Sequence, residues 1–283
     1  MATLSRPDIG IIGGSGFYSL FEDAEKHEVE TPFGAPSAPV TVGRLGGRLV
    51  AFLPRHGLRH EYPPHRVNYR ANLWALRAVG VRQVLAPCAV GSLRADLGPG
   101  TFVLPDQIID RTWGREHTVW DAVGPVVHTA FADPYCPRGR AAVLASAQKA
   151  AADGPDAPAL VDGGTLVVIN GPRFSTRAES QWHAAAGGTV VGMTGMPEAS
   201  IARELAMCCT AVAMVTDHDA GVEAGEEVTH AAVLAVFEQN LSRLRSLLER
   251  VVAQLPEPET DDEAVCGCRR SLDGLTLPTP LPT

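Results

Sequence analysis

GMTGMPEASIARELAMCCTAVAMVTDHD, residues 192–219, is the stretch on which the reading of the whole chain turns. It opens on a strand end carrying Met193 and Thr194 and passes into a helix whose first turn holds Glu198. It closes in an apolar run, Thr210–Val215, that stops at Thr216, Asp217, His218 and Asp219. A short apolar run bounded by polar residues reads as a buried strand. In open α/β sheets the side chains just beyond such a strand face the ligand. Asp217 and Asp219 share one face of extended backbone, so two carboxylates there either meet one partner or repel each other. The Hoogsteen edge of adenine would satisfy both, because its N7 acceptor stands beside the N6 donor. Taken alone, an Asp-x-Asp also fits a helix N-cap followed by a solvated loop.

Around this stretch lies a chain of 283 residues, 45% hydrophobic, with a net charge of −8. That length suits one large core, and the β/α alternation favours a single domain. The acidic balance excludes a general nucleic-acid or anionic-membrane surface. The longest apolar stretch, residues 206–215, is too short for a membrane span. The first residues lack a basic region followed by an apolar core and a cleavage site, so a cytoplasmic location is expected. Cys88, Cys136, Cys208 and Cys209 lie in apolar or mid-chain contexts and read as reduced, packed thiols. Cys266 and Cys268 form a CxC pair in a polar, proline-rich tail, residues 256–283, that follows a domain of residues 1–255. The pair fits a strained disulfide, a redox handle, or neither. No HExxH or CxxC spacing occurs, so no metal is expected.

Upstream, Asp8–Ile12 reads as a buried strand ending in GGSG, residues 13–16. Glycines there can turn backbone N–H groups toward an anion, and Ser15 adds a hydroxyl. Ser at position 19 breaks a dinucleotide fingerprint, and no Gly-Lys-Ser/Thr follows; GGSG alone fits a plain tight turn equally well. Segments Val40–Leu45 and Arg48–Leu53, joined at Gly46-Gly47, read as a hairpin. Arg55, His56, Arg59, His60, His65 and Arg66 then crowd one loop, a cationic patch suited to a phosphate or simply to solvent. A helix over residues 68–79 and a strand over 83–90 complete a βαβ step, which predicts that the strands on either side of the helix are parallel neighbours. Further strands are predicted over 101–104, 164–169 and 189–192, and helices over 140–152 and 229–255. Thr176 with Glu179 gives the capping signature of another helix. Residues 110–137 show no period, and loops this long are functional or lie in an interface.

Taken together, IGIIGGSGFY (9–18), PRHGLRHEYPPHRVNYRANLWAL (54–76), VGSLRADLGPG (90–100), DQIIDRT (106–112), GPRFSTRAES (171–180), MTGMPE (193–198) and VTDHD (215–219) resemble the trimeric purine nucleoside phosphorylase superfamily. The resemblance is nearest to its methylthioadenosine-cleaving branch, and it runs collinearly over residues 8–255. It implies an α/β fold with a mixed, largely parallel central sheet flanked by helices, in one domain. It also implies phosphorolysis of a nucleoside, a methylthioadenosine or alternatively a methylthioinosine, a 6-oxopurine nucleoside or a 5′-halogenated adenosine, with inorganic phosphate as co-substrate, no cofactor, and a homotrimer. By the same resemblance, Ser15, Arg55, His56, Thr194 and the backbone at Ala89 hold phosphate. Cys88 stands where related enzymes carry a hydroxyl residue, and a thiol is the weaker donor. Met193 meets the sugar, Phe174 stacks on the base, and Asp217 with Asp219 binds the Hoogsteen edge, Asp217 as general acid. His60 and Leu234 wall the 5′ pocket, and His128 is lent by a neighbouring subunit. His230 falls near the same pocket, where it either hydrogen-bonds a 5′-hydroxyl or is a plain surface residue of its helix.

Overall fold

The computed structural model describes residues 6–154, 157, 159–222, 229–256 and 266–282. Eleven strands form one sheet, with parallel and antiparallel pairs. At its centre are β1 (Ile9–Gly13), β4 (Arg48–Pro54), β5 (Gln83–Ser92) and β11 (Cys208–His218), all mutually parallel where they pair. On one side β3 (Val40–Leu45) pairs antiparallel with β4, and β2 (Glu25–His27) pairs antiparallel with β3. On the other, β10 (Val190–Gly192) pairs antiparallel with the last residues of β5 and parallel with β9 (Thr165–Ile169), which is flanked by β7 (Gln107–Arg111). Strands β6 (Phe102–Leu104) and β8 (Leu160–Asp162) attach beside β11.

The apolar run in β11 is continuous because both of its faces are buried. Ala211, Ala213 and Val215 join one core cluster with Leu73, Trp74 and Leu76 of α1 (Tyr69–Ala78) and Ile201 of α4 (Gly195–Glu204). Val212 and Met214, pointing the other way, join Val143 of α2 (Pro137–Asp153) and Phe237, Leu244, Leu248 and Val251 of α5 (His230–Gln254). Strand alternation thus divides one hydrophobic stretch between two helical layers.

One expectation fails. The strands on either side of α1, β4 and β5, are not neighbours: β1 lies between them and pairs in parallel with both. Ile9, Ile11 and Ile12 have no exposed surface, so the first strand needs cover on both edges as well as both faces, and only an interior position supplies it. Smaller differences concern ends. β11 runs three residues past Val215, through a register shift between Val215 and Asp217. Helix α3 (Arg177–Ala185) carries the expected capping box between Thr176 and Glu179. Among the described residues no helix is long and apolar enough to cross a membrane.

Residues 266–282 lie back on the body instead of standing free of it. Cys268 is buried, Leu281 packs on the larger core cluster, and Ser271 donates to the Arg203 carbonyl at 2.7 Å.

Candidate active site

The ends of β1, β4, β9, β10 and β11 and the second half of β5 surround one cavity of about 380 Å³. The turn after β1 contributes Gly14 and Ser15, held by the Arg55 N–H donating to the Gly13 carbonyl at 2.9 Å. A methyl on Gly13 would lie 2.2 Å from the Phe17 carbonyl oxygen, and Gly16 has φ +76 with Phe237 of α5 against its free face. GGSG is therefore a turn that only glycine fits at these two positions, and it brings the Ser15 hydroxyl to the cavity.

Arg55 and His56 follow β4 and are buried, unlike the exposed Arg59 and Arg66 of the same basic loop. Arg55 donates Nε to Glu198 Oε2 at 2.6 Å and Nη2 to Oε1 at 2.8 Å, and it also reaches the Pro87 carbonyl through Nη1 and the Ile12 carbonyl through Nη2. A guanidinium has five N–H donors, so these contacts leave one on Nη1 for the cavity. Burial alone would favour loss of the proton, but Glu198 overcomes it and keeps Arg55 charged. His56 donates Nδ1–H to the Tyr62 carbonyl at 2.8 Å, which leaves Nε2 as an acceptor. Burial, followed by the Arg55 charge, pushes its pKa down to about 3. The sequence suggests a cationic patch; in the fold its inner half is one paired arginine and one neutral imidazole. His60 stacks on His56 with centroids 4.6 Å apart and meets the Tyr18 hydroxyl at 3.2 Å.

From β5 come Cys88, Ala89, Val90 and Gly91. Burial pushes the Cys88 thiol up to about 12, so it stays protonated. Met193 and Thr194 arrive from β10; the Thr194 hydroxyl makes no capping bond although the residue caps α4. Asp217 and Asp219 close the opposite wall. A methyl on Gly91 would lie 3.1 Å from Asp217 Oδ2 and 3.3 Å from Asp219 Cβ, so both acids lean over this glycine. Asp217 accepts from the Thr216 hydroxyl at 2.7 Å, yet burial raises its pKa to about 6. Asp219, only 4% exposed, is also raised by burial, with the hydroxyls of Ser175 and Ser180 acting against the rise. Phe174, with Ile169 and Pro172, supplies the remaining apolar wall.

The fold thus gathers Ser15, Arg55, His56, His60, Cys88, Ala89, Phe174, Met193, Thr194, Asp217 and Asp219 around one space. Leu234 is not among the lining residues; Val233, one position earlier on α5, takes that place. His128 is exposed on the long loop and outside the cavity of its own chain. The side chain of His230 lies outside the described part of the structure. Two contributors escape a reading of the sequence. Glu198 was visible only as a first-turn acid of α4, although its burial at 2% makes it the partner of Arg55. Arg115, in the aperiodic loop, donates to the carbonyls of Asn170, Met193 and Met196 at 2.8, 2.8 and 2.6 Å and so ties three cavity segments together. No local pattern marks it.

Residues 8–253 match the model of the phosphorylase superfamily, and the chain belongs to that family. A purine nucleoside phosphorylase of Streptomyces coelicolor is 54% identical over the full length of both chains. An S-methyl-5′-thioadenosine phosphorylase of Mycolicibacterium smegmatis is 54% identical over 97% of this chain and 99% of its own. Among solved structures, methylthioadenosine phosphorylase from Schistosoma mansoni in complex with adenine superposes with a TM-score of 0.82 at 40% identity, covering 88% of this chain and 91% of the other. A methylthioadenosine phosphorylase from an Antarctic soil metagenomic library gives 0.85 at 35% identity, covering 98% and 94%.

Proposed function

We propose that this chain cleaves S-methyl-5′-thioadenosine with inorganic phosphate, releasing adenine and 5-methylthioribose 1-phosphate, without a cofactor. The observation that carries the reading is the pair Asp217, half-buried, and Asp219, buried, both with raised pKa values, in one cavity with Ser15, Arg55 and Thr194. Cleavage of a purine glycoside leaves negative charge on the base and positive charge on the sugar, and the barrier falls where both are met in place. Asp217, already displaced upward, takes a proton as an arriving base adds to its burial, and donates it to N7. Asp219 remains ionised and accepts from the 6-amino group. A 6-oxopurine would turn an acceptor toward Asp219, an unpaired contact costing a few kcal/mol. Phosphate on the other side of the ribose meets the last Arg55 donor, the Ser15 and Thr194 hydroxyls and the backbone at Ala89. The neutral His56 accepts a hydrogen bond from hydrogenphosphate through Nε2, and Cys88 adds at most a weak contact. Phe174 stacks on the base and Met193 packs on the sugar.

At the 5′ end, His60 and Val233 wall the methylthio group, and His128 serves the cavity of a neighbouring subunit in a homotrimer. Its exposure beyond its own cavity supports that role. The products, a free purine and a sulfur-bearing sugar phosphate, suit purine and methionine salvage in the cytoplasm. The test is a product assay on methylthioadenosine, methylthioinosine, adenosine and inosine, each with and without phosphate. Methylthioadenosine is expected to be consumed fastest and only with phosphate. Faster turnover of inosine, or release of base in phosphate-free buffer, would overturn the proposal.

A further inference from the structure

At the far end of β11 from the carboxylates, Cys136, Cys208, Cys266 and Cys268 bring their Sγ atoms within 4.8 Å of one another. Cys208 and Cys266 are 3.0 Å apart and Cys136 and Cys266 4.0 Å. Four sulfurs tetrahedrally bound to an ion at 2.3 Å stand about 3.8 Å from each other, and these separations bracket that value. Cys136, Cys208 and Cys268 are buried, at 0, 1 and 5% exposure, in a small cluster made of these thiols alone. Burying thiols together gains little by itself, because each is small and its weak donor finds only another thiol.

The surroundings suit negative charge. The Gly139 N–H at the start of α2 bonds to Cys136 and the Arg269 N–H to Cys266. Arg203 Nη2 lies 3.6 Å from Cys268 Sγ, and its other contacts, to the carbonyls of Ala130 and Asp133 at 2.7 Å each, hold it there. Backbone donors and a fixed guanidinium around a thiol group form the kind of outer layer that orients metal ligands.

We infer that these four cysteines form a structural zinc site that pins the C-terminal segment to the body of the enzyme. All four positions are protein thiolates, the closed arrangement of structural zinc, with no place left for water or substrate. Binding releases four thiol protons to solvent and leaves a complex of net charge −2 beside Arg203; no oxidant or reductant takes part. The spacing of the sequence concealed the site, because only the CxC half is local. Cys136 and Cys208 come from the end of a long loop and the start of a strand, and only the fold adds them.

The test is the metal content of the full-length chain purified under reducing conditions from zinc-supplemented medium. About one zinc per chain is expected. Cys266→Ser/Cys268→Ser should lower this to below about a tenth, whereas Cys209→Ala, which removes a buried cysteine outside the cluster, should keep it. Should the double variant fail to fold, the unaltered chain refolded with cobalt supplies a second measurement. Intense thiolate-to-cobalt charge transfer with the visible bands of tetrahedral cobalt is expected, and zinc should displace them. A reduced chain that takes up neither ion overturns the inference. So does metal uptake that persists at full level in a folded double variant, and so does peptide mapping of the freshly isolated chain that finds these cysteines joined in disulfides without metal.

Discussion

Asp217 carries opposite consequences for turnover and for stability. Its pKa, about 6, stands above the ordinary carboxylate value of 3.8, so between these values the folded chain holds a proton that the unfolded chain has released. Stability therefore falls as pH rises from about 4 to about 6 and stays reduced above that. Asp217→Asn removes the buried charge: at pH 7.5 it should raise unfolding free energy by roughly 1–3 kcal/mol, read by urea melts. The same change should lower methylthioadenosine turnover about 10²–10⁴-fold. Adenine binding at pH 7.5 should take up close to one proton per site, seen by calorimetry in buffers of different ionisation enthalpy, and Asp217→Asn should abolish that uptake. Glu198→Gln is the contrasting case. It leaves Arg55 buried without its counter-charge, which costs about 3–5 kcal/mol, and it should raise the KM for phosphate more than that for the nucleoside. At this scale the sequence displayed the paired acids because they end an apolar run, and it displayed Arg55 and His56 as part of a basic loop. It could not display which of those basic residues turn inward, nor Glu198 and Arg115, because their partners lie 143 and up to 81 positions away.

Elements were readable where periodicity was long. The hairpin β3–β4, helices α1, α2 and α5, and the strands β1, β5, β9 and β11 lie within a few residues of where apolar spacing and caps put them. The misses are β2 and β8, three residues each, and β7, a half-exposed strand whose pairing with β9 gives no alternation to detect. The order β4-β1-β5 was illegible for a different reason. Adjacency depends on which strand most needs burial, and that is a property of the whole sheet. The glycine turn after β1 offers a test of how an element feeds the site. Gly16→Ala places a methyl 2.9 Å from the Phe237 ring on backbone at φ +76. It should cost about 1–2 kcal/mol in thermal unfolding and raise the KM for phosphate by shifting Ser15, with the nucleoside KM changed less.

For the whole molecule, the long loop before α2 exposes Trp113, Val123 and Val126 at 75, 107 and 74%. Apolar groups held so far out suit contact with another copy, and His128 stands on the same loop. If the cavity borrows His128 from a neighbour, His128→Ala and Asp217→Asn chains should each be poor enzymes alone. After co-refolding, mixed oligomers should regain activity, since an intact Asp217 then meets an intact His128. Mixtures no more active than their components would place each cavity within one chain.

Cys208 is the first residue of strand β11 and Asp217 its tenth, a run of roughly 30 Å at the usual rise of extended backbone. At that distance, across a packed hydrocarbon interior, an ion among the thiols is a rivet and no part of the chemistry. Damage there, whether by peroxide or by a chelator, should shorten the working life of the enzyme in a heated tube while each surviving molecule goes on splitting nucleoside at its full pace.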